Sequence, residues 1–438
     1  MHPPGRPSEK LFQALKHQLD AEYLDARRLY TEAIAETGPT PDALNMLALV
    51  EWHLGNVDRA WQLVTHAARL APGAPAIRAN GHFIGRAWAL RKFRSRIFDP
   101  ATDVRAVAPK GRPLVHFCEI AGDPSGGTEH RALELAARLR NAADVILWTQ
   151  NPNLPASFTS GNEIRVVDEG RGVYPRDGTL FVCGSYIRIG SWFKRASFRR
   201  IVVLYNVVDP IGLSTLLEQV CLPDKPKIEL LFASEWMKTV TGLPGCFEPS
   251  PIDTDRFAPS APVDPTSSQS SRFVVGRLSR DDPVKFHAEA AGFFKTLASQ
   301  GFAVRLMGAT PLLPALDGAD DIEVLSQNAL PAADFLRSLD CFTYRTHPSW
   351  TEAWGRVVTE AMAAGLPVVV HADGGYAQLI RSGENGFLFH RDEEALQLIE
   401  GLRRSPELRR TVGSNARRTV VDLCSRAAFE RFSRFYLL

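Results

Sequence analysis

Cysteine patterns that bind metals or build disulfide frameworks are missing from this sequence of 438 residues. Its six cysteines are scattered, and none forms a CxxC pair: Cys118, Cys183, Cys221, Cys246, Cys341 and Cys424. Zinc sites use closely paired cysteines, and disulfide-rich scaffolds are short and dense in cysteine. We therefore predict neither kind of site, and expect reduced, buried cysteines in a cytoplasmic protein.

Long apolar runs and a strong net charge are missing as well. No stretch approaches about 18 apolar residues, and the first ten, MHPPGRPSEK, lack an apolar core, so we expect neither a membrane-spanning helix nor a signal peptide. A formal charge of +2 gives no reason to expect a nucleic-acid partner. With 45% hydrophobic and 23% charged residues, the composition is typical of a soluble globular protein. The length predicts two or three domains.

Helical periodicity without strand signals extends over residues 11–97, and this segment repeats itself. Ala26, Tyr30 and Ala33 recur as Ala60, Val64 and Ala67 at a shift of 34 residues. The segment resembles tetratricopeptide repeats, which have this period. Only two repeats and a capping helix over residues 76–90 are recognisable, whereas about three repeats are needed for independent stability. We predict a helical domain at residues 1–98 that leans on the next domain, either as a packing appendage or as a docking surface for a protein partner.

Strand-like runs separated by helical segments follow a proline-rich linker at residues 99–112. They lie at residues 114–120, 145–148, 164–167, 180–182, 201–204, 230–233, 272–276, 304–308, 322–325 and 366–370. Such alternation predicts parallel sheets in an α/β protein. We assign residues 113–255 and 256–438 to two Rossmann-like domains, with a flexible hinge at residues 262–271.

The most informative stretch is residues 349–389, which begins SWTEAWGRVVTEAMAAGLPVVV. Glu352 and Glu360 are separated by seven residues, and a run of helix formers at 355–364 ends in the stop signal GLP. In a helix that begins near Trp354, the two glutamates lie roughly 12 Å apart along the axis, which is about the length of a nucleotide sugar.

The chemistry of a nucleotide sugar suits this spacing. Each carboxylate can accept two hydrogen bonds from a vicinal diol, one on a hexose and one on a ribose. The diphosphate between the diols suits the free N–H groups and the positive dipole end of a helix N-terminus. A second predicted helix, from the GG pair at 374–375 towards residue 383, offers another such end.

These motifs resemble a known family. The pattern E-x7-E, followed by AMAxGLPVV, a GG pair and ENGFLF, is similar to that of the retaining family-4 glycosyltransferases of GT-B fold, and the resemblance covers residues 114–438. It implies two doubly wound Rossmann-like domains that face each other over a cleft, with the small all-α domain in front. It also implies transfer of a hexosyl or related sugar from a nucleotide-diphosphate sugar to a carbohydrate or glycolipid acceptor, as in polysaccharide biosynthesis. Neither a metal nor a further cofactor is expected.

The resemblance implies roles for particular residues. Glu352, Arg277 and Lys285 are the predicted catalytic residues, and the two cations would bind the diphosphate leaving group. The predicted donor-binding residues are Gly126, Gly127, Arg277, Lys285, Ser326, Asn328, Leu330, Glu352, Trp354, Gly355, Arg356 and Glu360. The candidates on the acceptor side are Glu129, His130 and Asn206. Two departures from the family are Asn206, where a histidine is usual, and Phe286, where glycine usually follows the lysine.

Several alternatives stay open at this point. Residues 187–200, IRIGSWFKRASFRR, fit either an anionic membrane surface at the inner face of a membrane or, as we favour, a solvated helix with a buried aromatic stripe. The DTD triplet at 253–255 suits a turn and helix cap better than a metal site. The alternative functions are a protein O-glycosyltransferase that docks its substrate through the repeats, and a non-catalytic repeat scaffold with a decayed cleft.

Overall fold

The computed structural model of the chain describes residues 9–104, 111–118, 127–154, 163–259 and 272–437. They form two compact units. The first extends to Glu248 and includes Tyr436 and Leu437, and the second extends from Pro249 to Phe435. The division falls seven residues before the boundary that we predicted at 255/256, and it does not separate the helical segment from the first Rossmann-like domain. Residues 105–110 of the predicted linker lie outside the described residues, and so does the predicted hinge at residues 262–271.

Five helices open the first unit, and neighbouring helices pack against each other. They are α1 Glu9–Leu19, α2 Tyr23–Thr37, α3 Pro41–His53, α4 Val57–Leu70 and α5 Pro75–Ala89, followed by a 3₁₀ helix at Leu90–Arg96. The positions that recur at a shift of 34 residues are all buried: Ala26, Tyr30, Ala33, Ala60, Val64 and Ala67. All but Ala33 belong to one hydrophobic cluster of this segment. Alanine at such positions lets two helix backbones approach closely.

A seven-stranded parallel sheet forms the rest of the first unit. Its strands are β1 Leu114–Cys118, β2 Asp144–Thr149, β3 Ile164–Val166, β4 Thr179–Cys183, β5 Arg200–Tyr205, β6 Ile228–Phe232 and β7 Cys246–Phe247. The helices are α6 Gly127–Leu139, α7 Trp192–Arg195, α8 Pro210–Val220 and α9 Glu235–Thr241. The strand order β3-β2-β1-β4-β5-β6-β7 is the doubly wound order of a Rossmann fold, which confirms the predicted class for this part of the chain.

The helical segment packs directly on this sheet domain. The indole N–H of Trp236 in α9 donates to the carbonyl of His53 at 3.0 Å. Gly55 has a positive φ of 81° and lies so close to Thr239 that a Cβ atom there would be 2.5 Å from the Thr239 Cγ2. After the helices, Ile97 pairs with Ile228 of β6 as an extension of the sheet. The helices are therefore supported by the next domain.

The second unit is built on a six-stranded parallel sheet. Its strands are β8 Val274–Leu278, β9 Ala303–Met307, β10 Ile322–Leu325, β11 Cys341–Tyr344, β12 Val368–His371 and β13 Phe387–Phe389. Its helices are α10 Ala290–Ser299, α11 Leu313–Leu316, α12 Ala332–Arg337, α13 Arg356–Ala363, α14 Asp392–Arg404, α15 Pro406–Leu423 and α16 Arg426–Leu437. The order β10-β9-β8-β11-β12-β13 is again doubly wound. Tyr436, in the last turn of α16, already belongs to the first unit, where it packs on Phe181 of β4 with ring centroids 5.5 Å apart.

Residues 187–200 contain the buried aromatic stripe that we favoured over a membrane-binding segment, although the predicted helix is mostly absent. Only α7 is helical there, and its Trp192 and Phe193 are buried, as is Phe198. The Phe193 and Phe198 rings stack 5.9 Å apart, because these aromatic side chains complete the interior of the first unit. Their burial leaves these three side chains inaccessible to a lipid surface in the folded unit. Throughout the described ranges, every helix is too short or too polar to serve as a membrane span.

Candidate functional site

The second sheet changes the direction of its strand order between β8 and β11. At such a switch point the loops after the two strands diverge to opposite faces of the sheet and leave a crevice at their carboxyl ends, where ligands bind in open α/β folds. Lys285 lies in the loop after β8, and Glu352 lies in the loop after β11. The fold thus brings together two predicted catalytic residues that are 67 positions apart.

Three donors converge on one oxygen of the Glu352 carboxylate. The Lys285 ammonium lies 2.5 Å from Oε1, the Tyr344 hydroxyl donates to the same atom at 2.8 Å, and the Trp350 indole N–H donates at 3.3 Å. Burial alone would raise the pKa of Glu352, but the Lys285 charge and these hydrogen bonds outweigh it and hold the pKa below its usual value. All three contacts fall on Oε1, so within the described residues Oε2 is the oxygen that they leave for a ligand.

The backbone of Glu352 is fixed as well. Glu352 and Gly374 form a parallel bridge, and the Gly375 N–H donates to the Glu352 carbonyl at 2.7 Å. We predicted an α-helix starting at this GG pair, and that prediction is wrong: the segment Gly375–Leu379 is a 3₁₀ turn of five residues. The pairing with Glu352 explains why, because Gly375 uses its N–H for the neighbouring loop instead of leaving it free at a helix N-terminus.

Arg277 occupies a different place from the one that we predicted. We expected the strand to stop at Gly276, but β8 continues to Leu278, and Arg277 is therefore a buried strand residue. Its guanidinium donates to the Arg345 carbonyl at 2.5 Å and to the Lys285 carbonyl. It lies 4.4 Å from the ring centroids of both Phe286 and Tyr344. Arg277 therefore anchors the backbone that carries Lys285, and a direct contact with diphosphate stays a prediction.

Helix α13 presents the second glutamate. The helix begins at Arg356, after Gly355 in a left-handed conformation with φ 74° and without a side-chain cap. A Cβ atom on Gly355 would lie 2.3 Å from the Tyr376 ring, so glycine is required at this entry. Glu360 accepts from Arg356 Nε at 2.9 Å, and Trp354 is buried just before the helix. The first N–H groups of α13 thus lie beside the loop that carries Glu352, as the helix prediction required.

The loop proposed to contact the base follows β10. Ser326, Asn328 and Leu330 are all exposed, and Asn328 has a positive φ of 63°. These positions are compatible with a surface that receives a ligand, and their role stays a prediction.

Sequence reasoning missed a carboxylate that joins three of the carboxyl-end loops. Asp281, after β8, accepts from the Thr310 N–H at 2.8 Å and from the Gln327 N–H at 2.7 Å. Its own N–H donates to the Gln327 side chain at 3.1 Å. The RDDP sequence after the strand was the available signal, since aspartate commonly accepts backbone N–H bonds in turns.

The acceptor-side candidates lie in the first unit. The predicted donor-binding glycines lie next to them: Gly126 falls outside the described residues, and Gly127 is the exposed first residue of α6. The acceptor-side candidate Glu129 is buried two residues later on the same helix. His130 is half-buried on the same helix. Asn206 follows β5, and its side-chain oxygen accepts from Arg131.

Arg131, which we did not predict, connects two loops at the carboxyl ends of the strands in the first sheet, which we call its carboxyl edge. It is buried and donates to the Glu248 carbonyl at 3.1 Å, with the Glu248 carboxylate 3.5 Å away. Burial raises the pKa of Glu248 to about 7 although Arg131 opposes the shift. In this arrangement the side-chain oxygen of Asn206 already accepts a hydrogen bond from the protein itself.

In the first turn of the second unit, the Asp253 carboxylate accepts hydrogen bonds from the backbone N–H groups of residues 255 and 256, which agrees with the predicted turn.

Comparisons with known proteins identify a domain in the second unit. Residues 320–419 match the family model described as Glycosyl transferases group 1. Over 150 residues the chain is 27% identical to alpha-monoglucosyldiacylglycerol synthase of Acholeplasma laidlawii, covering 33% of this chain and 37% of that protein. Over 179 residues it is 27% identical to the capsular polysaccharide biosynthesis glycosyltransferase CapM of Staphylococcus aureus, covering 38% and 46%. The chain thus spans less than half the length of either relative.

Solved structures show the same fold. The complex of Anabaena Alr3699/HepE with UDP-glucose has a TM-score of 0.57 at 17% identity and covers 74% of this chain and 99% of its own. WaaG, a glycosyltransferase involved in lipopolysaccharide biosynthesis, has a TM-score of 0.51 at 15% identity and covers 73% and 99%. The two Rossmann-like sheets and these neighbours confirm the predicted α/β class and GT-B fold. The second unit contains a glycosyltransferase group 1 domain.

The placement of Arg277 predicts a structural cost for its loss. We expect Arg277→Met to lower the free energy of unfolding by about 2–4 kcal/mol, because two buried carbonyls lose a charged donor. Arg272→Met is the matched control at the start of the same segment, where Arg272 forms an exposed pair with Asp321, and we expect little change. Urea unfolding of both variants measures the difference, and equal shifts would contradict the anchoring role.

Proposed function

We propose that the protein is a retaining glycosyltransferase that moves a sugar from a nucleotide-diphosphate sugar to a carbohydrate or glycolipid acceptor. The observation that carries the proposal is the pairing of Lys285 with Glu352 at the switch point of the second sheet. A flexible lysine cation and a fixed carboxylate, next to the N-terminus of α13, match the two ends of a sugar diphosphate: an anion and a set of hydroxyls.

In this proposal each charged group has one task. Lys285 and the first N–H groups of α13 bind the diphosphate, on which negative charge grows as the glycosidic bond breaks. Glu352 accepts hydrogen bonds from the transferred sugar through Oε2. Glu360, further along α13, accepts hydrogen bonds from the ribose hydroxyls.

The reaction proceeds on one face of the sugar. The acceptor oxygen forms a bond to the anomeric carbon from the side that the diphosphate leaves, and the bond between that carbon and the phosphate oxygen breaks. The acceptor proton passes to the departing phosphate oxygen, so no separate base is required. We propose that no metal takes part, since Lys285 and the helix N-terminus supply the positive charge.

The relatives' printed names guide the choice of ligands to test. One solved neighbour binds UDP-glucose, one matched relative is named as a synthase of a glucosylated diacylglycerol, and another acts in capsular polysaccharide biosynthesis. We therefore propose a hexose nucleotide as donor and a glycan or glycolipid as acceptor.

A panel of sugar nucleotides tests the function. We expect at least one, with UDP-glucose as the first to try, to raise the melting temperature of the full chain and to be hydrolysed slowly without acceptor. Both effects should persist in EDTA, because no step uses a metal. A protein that only docks partners would show neither stabilisation nor turnover with any member of the panel, and loss of both in EDTA would contradict the metal-free assignment.

The two glutamates should respond differently to substitution. We expect Glu352→Gln to lower kcat and to leave the affinity for the nucleoside diphosphate product unchanged or slightly tighter, since Lys285 loses its carboxylate partner. We expect Glu360→Gln to weaken product binding about tenfold, because the ribose is present in product and donor alike. Calorimetry with the nucleoside diphosphate compares them, and equal weakening, or the reverse order, would contradict the assignment.

A further inference from the structure

We propose that Tyr344 is a positioning residue for Glu352, whose hydroxyl holds the carboxylate in place when a diphosphate draws Lys285 away. The inference rests on the proposed function, because it takes Lys285 to be the group that binds the diphosphate. Tyr344 lies outside the motif at residues 349–389, at the carboxyl end of β11, and its contact with Glu352 becomes visible only in the folded chain.

Lys285 has two anionic partners in the proposed function, the Glu352 carboxylate and the diphosphate, and its ammonium cannot bind both equally well. Its ammonium now lies against Glu352 Oε1, yet a diphosphate carries more negative charge than one carboxylate and attracts the same group more strongly. The lysine side chain is a flexible four-carbon stem, whereas the Glu352 backbone is bridged to Gly374. Lysine is therefore the partner that moves, and the carboxylate needs a donor that stays.

Tyr344 has the properties of a donor that stays. It is 2% exposed, and its hydroxyl donates to Glu352 Oε1 at 2.8 Å. Its ring is held on several sides: the Arg277 guanidinium lies 4.4 Å from its centroid, and the Phe342 and Tyr376 rings lie 6.1 and 6.2 Å away. A neutral phenol has no charge for the diphosphate to attract. Tyr344 therefore keeps Oε1 occupied and Oε2 directed at the sugar.

Trp350 is a weaker second donor. Its indole N–H lies 3.3 Å from Glu352 Oε1, and the Lys285 ammonium lies 4.4 Å from its ring centroid. When Lys285 turns to the diphosphate, Trp350 loses this contact, so its position depends on the lysine. Tyr344 does not share that dependence.

Removing the tyrosine hydroxyl should also change the titration of Glu352. The charged and titratable groups that face this carboxylate are Lys285 from the loop after β8, Arg277 from β8, Tyr344 from β11, and Tyr376 from the turn after β12. The Tyr344 hydrogen bond lowers the pKa of Glu352. Its loss raises that pKa, and the effect is larger in the donor complex, where the Lys285 charge is shared with the diphosphate.

The test compares two buried tyrosines whose rings are neighbours. Tyr344→Phe removes the hydroxyl that bonds Glu352. Tyr376→Phe is the matched control, because the buried Tyr376 hydroxyl has no hydrogen-bond partner in the described part of the chain. We expect Tyr344→Phe to lower kcat about tenfold or more, to leave the dissociation constant of the nucleoside diphosphate within about twofold, and to move the acidic limb of the kcat profile to higher pH. Tyr376→Phe removes no hydrogen bond to Glu352 and should change kcat and the acidic limb less than Tyr344→Phe does. A Tyr344→Phe enzyme that matches the wild type in all three would overturn the proposal.

A second measurement needs no substrate. Each tyrosine variant is also made in a Glu352→Gln background, and urea midpoints are compared at neutral pH. A hydrogen bond to a carboxylate is stronger than one to a neutral amide, so we expect the shift caused by Tyr344→Phe to be about half as large in that background. The shift from Tyr376→Phe should be the same in both. Equal shifts for Tyr344→Phe in the two backgrounds would overturn the inference about Tyr344, whether or not a sugar nucleotide binds. A failure of every sugar nucleotide to bind would instead refute the proposed function.

If Tyr344→Phe does not fold, Trp350→Phe carries the test. It keeps a ring beside Lys285 and removes only the N–H donor. We expect a smaller loss of kcat in the same direction, about twofold to threefold, with unchanged product affinity. An unchanged kcat would show that neutral donors do not hold Glu352.

Discussion

The ion pair between Lys285 and Glu352 is the contact on which the carboxyl edge of the second sheet depends. The two residues come from the loops after β8 and β11, the strands that flank the switch point, and both side chains are largely buried. Burying a charge without a partner costs free energy. Each loop therefore stabilises the other in the position that keeps the two charges paired. Arg277 donates to the Lys285 carbonyl and so holds that backbone, and the Tyr344 hydroxyl holds the Glu352 carboxylate. The site is therefore charge-balanced before any ligand arrives, and a diphosphate can bind by exchanging one partner of Lys285 for another.

A similar arrangement occurs at the carboxyl edge of the first sheet. Arg131 is buried there and grips the Glu248 carbonyl and the Asn206 side chain, as Arg277 grips two carbonyls in the second unit. In both cases a guanidinium inside the domain ties together loops that follow different strands. The planar, five-donor group of arginine suits this task better than lysine. The helical segment belongs to the same unit. It packs on α9, and the chain that follows it pairs with β6.

Much of this could be read from the sequence because the signals were local. Apolar runs placed most strands, and the spacing of Glu352 and Glu360 around the entry of α13 located the candidate site. The errors arose where tertiary contacts override local signals. A charged residue looked like the end of β8, although Arg277 continues the strand by stacking between two aromatic rings. The GG pair looked like a helix start, although Gly375 bonds to Glu352. Tyr344 and Arg131 were missed because nothing in their neighbouring residues shows what they contact in the folded chain. Asp281 had a local turn signal in RDDP, but that signal does not show which loops the carboxylate joins.

Hydrogen–deuterium exchange of the full chain, with and without the sugar nucleotide that binds best, tests the central claim most directly. If the donor binds at the switch point and displaces Lys285 towards the diphosphate, backbone amides should gain protection at residues 279–286, 345–358 and 374–379, which carry the lysine, the glutamate and the GG turn. The helices at residues 9–96 should exchange as before. Protection confined to those helices, or no change at the three loops under saturating ligand, would contradict the account.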